Sequence, residues 1–468
     1  MAESHILLLT FPAQGHINPA LQFAKRLVRT GTHVTFATSV HAHRRMVKST
    51  PLDGLSYASF SDGYDDGIKP TDDRHEFMAQ FKEVGCRSVR DLISNLADDG
   101  RPVTCVVYTL LLPWAADVAR IMGIPSVLLW IQPAAVLAIY YHYFHGYDNL
   151  IESSNKDPSS SIELPGLPLL SIKDLPSFFV STTTSDIPSA LPIFEELFHQ
   201  LEKESCPKVL VNTFDALEGD TMRAVDKLDM VGVGPLIPSA FLDGKETSDT
   251  AVGGDLFQKS RDYVEWLDSK PDSSVVYVSF GSISVASEHQ MEEILSGLVE
   301  SCRSFLWIIR PAENSVETET NTEFWKKVRA VEERKQGLVV PWCSQVEVLS
   351  HRSVGCFVSH CGWNSTSESL AVGVRMVGFP QWTDQPTNIK MVESVWKTGV
   401  RVRANGDGIL EGGELKRYLE LVMGGEEGEE MKKNSLRWRD LAREAAAEGG
   451  SSDKNIRAFV EEMADIKP

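Results

Sequence analysis

The strongest restriction on this chain is a rhythm that occurs twice. His5–Phe11 is a short apolar run, and Asn18–Arg29 places Leu21, Ala24, Leu27 and Val28 on one helical face. Val34–Ala37, Cys105–Tyr108 and Ser126–Trp130 are apolar again, with an amphipathic stretch, Trp114–Met122, between the last two. The alternation restarts beyond residue 260 with Ser274–Phe280, a helical stretch Glu288–Glu300, then Phe305–Ile309, Gly337–Val340, Cys356–Ser359 and Met376–Gly378. Runs this short and this continuously apolar suit strands buried on both faces of a parallel sheet. Strand–helix–strand order supplies the crossovers, so the expected fold class is α/β with two doubly wound domains. Open sheets of this kind bind ligands beyond the carboxyl ends of their strands. Two of them facing one cleft would serve two substrates.

The domain reading is residues 1–240, a linker at 241–261, a second domain at 262–450 and a closing helix at 451–468. Pro, Gly, Ser and Asp concentrate in Pro235–Gly254, which marks the linker. Pro158–Pro192 is rich in Pro, Ser and Thr and reads as an irregular lid, while Glu411–Ile466 reads as helical. A length of 468 residues fits two or three domains. The net charge of −19 argues against nucleic acid or an anionic membrane as partner. Seven cysteines without paired spacing point to reduced thiols and a cytoplasmic location. The N-terminal apolar run lacks a basic flank and cleavage site, and no run approaches the ~20 residues of a membrane span. A monomer is the default expectation.

The chemistry concentrates in Trp342–Gln385, WCSQVEVLSHRSVGCFVSHCGWNSTSESLAVGVRMVGFPQWTDQ. Its first residue offers a ring for stacking on a base. Cys356–Ser359 reads as a strand, His360–Gly362 as a turn, and the residues from Asn364 to Ala371 as a helix. Asn364 or Ser365 suits the N-cap, with Glu368 one turn on as in a capping box. The N–H groups and partial positive charge of such a helix start suit a diphosphate, to which His360 can add a hydrogen bond. Asp384 and Gln385 offer an acid and an amide for sugar hydroxyls.

This stretch resembles the signature of plant secondary-product UDP-glycosyltransferases, family 1 enzymes of the GT-B fold. The resemblance implies a role for each matching position. Trp342 stacks on uracil, and the backbone of Cys343 pairs with its edge. Gln345 and Glu368 reach the ribose. His360, Asn364 and Ser365 hold the phosphates with Trp363 beside them, and Asp384 and Gln385 bind the sugar. A final Gln resembles glucose users, so UDP-glucose is the implied donor, with no cofactor. The family usually has Pro where this chain has Arg375, which reads as a loop change away from the ligand. The family also implies that the last helix crosses back onto the first domain. Many metal-dependent glycosyltransferases use an Asp-x-Asp triplet, and this sequence contains none. Activity without a metal is expected.

His16 follows the first apolar run, in FPAQGHINP, where a loop at the carboxyl end of the sheet is expected. An imidazole near its ordinary pKa can act as general base on an acceptor hydroxyl, and the position matches the family's N-terminal motif. Ser282, in the turn after the 274–280 run, is placed for a further phosphate contact. In much of the family an Asp orients the catalytic His. Here Thr109 stands in that register, and Asp117 lies within the following helix. Thr supplies no charge, which favours acceptors that ionise on their own, such as carboxylic acids and acidic phenols. The sequence around Thr109 and Trp114 resembles the branch with anthocyanin 5-O- and carboxylate glucosyltransferases. Ile131–His145 and Ser177–Ile193 are candidates for an apolar acceptor pocket, with Phe81 and Val84 as weaker ones.

Other readings are less well supported. A nicotinamide or flavin oxidoreductase would carry Gly-x-Gly-x-x-Gly after the first strand, where this chain has a single Gly. A non-catalytic UDP-sugar-binding protein would not need His16. A serine hydrolase would carry a Gly-x-Ser-x-Gly elbow, which is missing.

Overall fold

The computed structural model describes residues 4–46, 52–69, 72–157, 159–180, 190–242, 263–281, 287–310 and 322–465. The chain forms two compact units, residues 1–256 with 444–468, and residues 257–443. From residue 243 onward, the expected linker lies outside the described residues.

The first unit is built on a seven-stranded sheet in the order β3-β2-β1-β4-β5-β6-β7. Its strands are β1 His5–Leu9, β2 His33–Ser39, β3 Leu55–Phe60, β4 Cys105–Thr109, β5 Ser126–Trp130, β6 Lys208–Val211 and β7 Asp229–Gly232. All neighbours run parallel. Every residue of β1 and β4 is buried, as a central strand covered on both faces requires. The order reverses between β1 and β4, so the loops leaving these two strands diverge and open a crevice at their carboxyl ends. Residues 131–207 form a long excursion between β5 and β6, which nevertheless pair directly. Its first helix, Ala134–His142, is buried almost all round, and the Glu218 carboxylate accepts the Ala134 and Ala135 N–H groups at its start, both at 2.9 Å.

The second unit carries a six-stranded parallel sheet in the order β10-β9-β8-β11-β12-β13. The strands are β8 Val275–Ser279, β9 Ser304–Ile308, β10 Gly337–Val340, β11 Val354–Ser359, β12 Arg375–Gly378 and β13 Gly399–Arg401. Here the order reverses between β8 and β11. The closing helix Ser451–Asp465 packs on the first unit: Ser452 Oγ donates to Gly234 O at 2.6 Å and Asn455 Nδ2 to Gly232 O at 2.8 Å. Among the described residues no helix is long and apolar enough to cross a membrane.

Three sequence expectations are corrected. The first helix starts at Gln14, not Asn18, so His16 sits in its first turn and not in a loop. Pro19 misled that reading. It lies in the second turn and removes the bond its N–H would make to Gly15 O, while Ala13 O collects both the His16 and Ile17 N–H groups. Arg375 is not a loop residue either. It opens β12, is buried, and donates from Nε to Gly355 O at 3.2 Å and from a terminal nitrogen to Val422 O at 2.8 Å and Gly428 O at 3.2 Å. Its charge therefore caps the Val422 carbonyl in the last turn of the helix Gly412–Met423, at the amino end of the strand and away from the crevice. Finally, β3, β6, β7 and β13 are not among the expected strands: β3, β7 and β13 carry little apolar signal, whereas β6 has the apolar run Val209–Val211, which sequence reasoning did not single out.

Candidate active site

In the second unit the chain leaves β11 at Ser359, turns through His360, Cys361 and Gly362, and enters the helix Trp363–Val372. Cys361 adopts φ +67°, a left-handed conformation costly for a non-glycine residue. The surroundings hold it there. Its N–H donates to Ser359 Oγ at 3.0 Å, and its carbonyl accepts from Thr366 Oγ1 at 3.2 Å and Asn388 Nδ2 at 2.8 Å. The turn presses the His360 ring between two glycines. A Cβ added to Gly281, just past β8, would lie 2.7 Å from His360 Nε2, and one added to Gly362 would lie 2.6 Å from it. Burial lowers His360 from 6.5 to about 4, against a backbone hydrogen bond with Ser279. The ring is therefore neutral at pH 7, and its buried Nδ1 has no partner among the described residues.

The capping box is corrected. Gly362 is the N-cap, and no side chain of its own caps the helix. Asn364 and Ser365 lie inside the first turn. The Trp363 N–H is taken by the carboxylate of Asp384, from the loop that follows β12. Glu368 turns instead to Gln345, whose Nε2 donates to Glu368 Oε2 at 2.7 Å and to Ser365 Oγ at 2.8 Å. Gln345 Oε1 accepts from Tyr277 on β8 at 3.4 Å. One amide thus joins strand to helix beside the phosphate-sized turn.

Trp342, partly exposed, and Cys343, buried, follow β10. Cys343 Sγ lies 3.4 Å from the Tyr277 hydroxyl. Tyr263 props the same segment, accepting the Ser344 N–H at 3.3 Å and donating to Glu347 at 2.7 Å. Asp384 is buried, which pushes its carboxyl up, while hydrogen bonds from Thr383, Asn388 and the Trp363 backbone pull it down. Gln385 Oε1 accepts the N–H groups of Gln381 at 2.7 Å and Trp382 at 3.0 Å, which fixes its amide plane. Gln345 thus binds Ser365 and Glu368, Asp384 binds the Trp363 N–H, and both sets meet the helix that follows the His360 turn, at the carboxyl end of the β8–β11 seam. Ser282 lies outside the described residues.

In the first unit, His16 lies beyond β1 at the β1–β4 seam, its ring 5.3 Å from that of Phe11. Phe11 in turn lies 5.3 Å from Phe81. Burial lowers His16 from 6.5 to about 4, and its Nδ1 is buried without a partner among the described residues. Neither residue expected to orient it does so here. Thr109 Oγ1 accepts from the Phe11 N–H at 3.4 Å and donates to Thr10 Oγ1 at 3.5 Å. Asp117 pairs with Arg120 and with Lys203 at 3.1 Å and accepts from Gln200 at 2.7 Å, on the outer face of its helix. Burial opposes its ionisation, yet Lys203 and Arg120 hold the carboxyl below its usual value.

Most of Ile131–His142 is core. Beside it lie cavities of about 640 and 410 Å³ that share Tyr143, Glu152 and Leu191, with Phe178 and Phe179 lining the larger. Residues 181–189 of the other pocket candidate lie outside the described residues. Sequence reasoning did not single out Phe11, Tyr277 or Asn388. No motif marks them, and only the sheet order brings Tyr277 to Gln345. Among the described residues no group of three or more His, Cys, Asp or Glu side chains is placed to hold a metal ion.

Residues 252–441 match the family described as UDP-glucoronosyl and UDP-glucosyl transferase. UDP-glycosyltransferase 75C1 of Solanum lycopersicum is 57% identical over 98% of this chain and 98% of its own. Phloretin 4'-O-glucosyltransferase of Malus domestica is 55% identical over 100% of this chain and 99% of its own. The crystal structure of Os79 from O. sativa in complex with UDP superposes with a TM-score of 0.84 at 36% identity, covering 98% of this chain and 100% of that one.

Proposed function

This chain belongs to the plant UDP-glycosyltransferases, enzymes of the GT-B fold, and from that premise we propose that it transfers glucose from UDP-glucose to a small plant secondary metabolite. The observation that carries the reading is the start of the helix Trp363–Val372, which follows the His360 turn, meets Asp384 at the Trp363 N–H and meets Gln345 at Ser365 and Glu368. Uracil stacks on Trp342 and meets the Cys343 backbone, and Gln345 and Glu368 take the ribose. His360, Asn364 and Ser365 hold the diphosphate with Trp363 beside them. Asp384 and Gln385 take the sugar hydroxyls, and Ser282 adds a phosphate contact.

The reaction inverts the anomeric carbon. The acceptor oxygen forms the new bond to that carbon, the bond to the phosphate oxygen breaks, and UDP leaves with the electron pair. Charge grows on the leaving diphosphate, where preorganised donors are most effective. A neutral His360 supplies a hydrogen bond to it, and the helix start supplies partial positive charge. These groups can meet that charge without a divalent ion. Turnover unchanged by EDTA is the expected result, and its loss on chelation, with recovery on adding a metal, would refute metal independence.

His16 is the proposed base on the acceptor. A neutral imidazole at pH 7 can accept a proton, but a pKa near 4 makes it a weak base toward a phenol of pKa ~10. A carboxylic acid is already ionised at that pH and asks little of it. The unpartnered Nδ1 of His16 thus favours glucose esters and acidic phenols as products. The test is the purified protein with UDP-glucose and a panel of phenols and carboxylic acids, read by mass spectrometry, with His16→Ala as control. Hexose adducts cleaved by mild base support ester formation. Products on ordinary phenols alone would sink that preference and leave the transferase reading intact.

A further inference from the structure

We propose that Asn388 is a positioning residue for sugar transfer, because a single amide nitrogen fixes both Asp384 and the turn that carries His360. The proposal rests on the reading of Asp384 as a sugar-binding residue. Asn388 lies in the helix Gln385–Met391, one turn beyond Asp384, and is fully buried. Its Nδ2 donates to Asp384 Oδ2 at 2.6 Å and to the Cys361 carbonyl at 2.8 Å. The two acceptors belong to different parts of the site. One is the carboxylate that faces the sugar, and the other is the left-handed residue that follows His360.

The chemistry leaves little choice of residue. Both partners are acceptors, so the group between them must donate twice from one atom. A primary amide does this, whereas a hydroxyl donates once and a carboxylate not at all. Reversing the amide would set Oδ1 against a carbonyl and a carboxylate, so the orientation follows from its partners. The fold retains this arrangement although Asn388 Oδ1 is buried without a partner among the described residues. Asp384 also receives Thr383 Oγ1 at 2.7 Å and the Trp363 N–H. Asn388 therefore completes a set of donors that offsets part of the burial which raises the Asp384 carboxyl, and it links that carboxylate to the turn that carries His360.

The variants are Asn388→Leu, which keeps the branched shape in a larger side chain and removes both donors, and Asn388→Asp, which keeps the volume and replaces them with a second acid. Asp384→Asn is the control. The measurements are kcat and KM for UDP-glucose, KM for the acceptor, and the pH profile of kcat/KM for UDP-glucose. Losing a donor disfavours the Asp384 carboxylate, so the acid limb should move to higher pH by about one unit or more in Asn388→Leu. It should move further in Asn388→Asp, where two adjacent acids share a proton. The acceptor KM should stay within twofold. An acid limb unmoved in both variants, whatever their thermal stability, would overturn the proposal. If Asp384→Asn leaves the UDP-glucose parameters unchanged, the sugar-binding reading fails instead. If Asp384→Asn is impaired while both Asn388 variants behave as wild type, only the proposal fails.

Discussion

The two glycines around His360 allow a paired prediction whose members differ in one physical respect. Gly281 has φ +79°, and Gly362 has φ −59° and ψ 149°. Alanine at Gly281 meets a left-handed penalty of about 1–2 kcal/mol, and alanine at Gly362 meets none. Both new methyls would stand well inside contact distance of the imidazole, at 2.7 and 2.6 Å from Nε2. The ring cannot retreat from one glycine without approaching the other, so either variant must displace it or the turn. Overpacking of this kind costs about 1–3 kcal/mol of stability. Gly281→Ala should therefore lose roughly 2–5 kcal/mol and Gly362→Ala roughly 1–3. Donor binding should fall alike in both. A hydrogen bond to a charged phosphate is worth about 1.5–3 kcal/mol, a loss of about 10- to 150-fold in affinity. Thermal unfolding reads the first quantity, and calorimetric titration with UDP reads the second. Two folded variants that bind UDP within twofold of the parent would refute both the role of His360 and the reasoning from the glycines.

Other expectations follow from the same geometry. His16→Ala should reduce kcat about 10²- to 10⁴-fold on a neutral phenol and much less on a carboxylic acid. Because burial lowers His16 and His360 to about 4, both stay neutral while the unfolded chain takes up protons below 6.5. The stability they contribute is full above pH 6.5 and is lost as the pH falls toward 4; His360→Ala should flatten that decline in an acid-unfolding series. Gln345→Leu strips the partner from Glu368 and Ser365 and should weaken UDP binding about 10- to 100-fold, with the acceptor KM unchanged. Arg375→Leu removes the guanidinium that three backbone carbonyls share and should destabilise the protein by about 2–4 kcal/mol while sparing the KM for UDP-glucose. A raised KM there would mean that Arg375 reaches the donor site.

The central strands were legible because burial on both faces writes continuous apolar runs, as in HILLL of β1 and VVYVS of β8. The edges were not. Most of β3 is only partly buried, and β13 is three residues long, so neither carries a periodic signal. At the site, the residue types of Trp342–Gln385 announced their chemistry, but their local geometry depended on tertiary partners. Asn364 and Ser365 have the side chains of an N-cap, yet the first helical N–H is claimed by Asp384 from a distant loop. Thr109 stands in the expected register but turns toward Thr10 and the Phe11 backbone, a choice made by packing that one-dimensional spacing cannot express.

The excursion of residues 131–207 enters and leaves the sheet through two adjacent strands, β5 and β6. Closing a chain segment between two fixed points grows dearer only with the logarithm of its length. The excursion can therefore be lengthened, shortened or rebuilt while the strand pairing that anchors it stays the same. It is a socket in the evolutionary sense: one insert can be exchanged while the sheet that carries it is inherited intact.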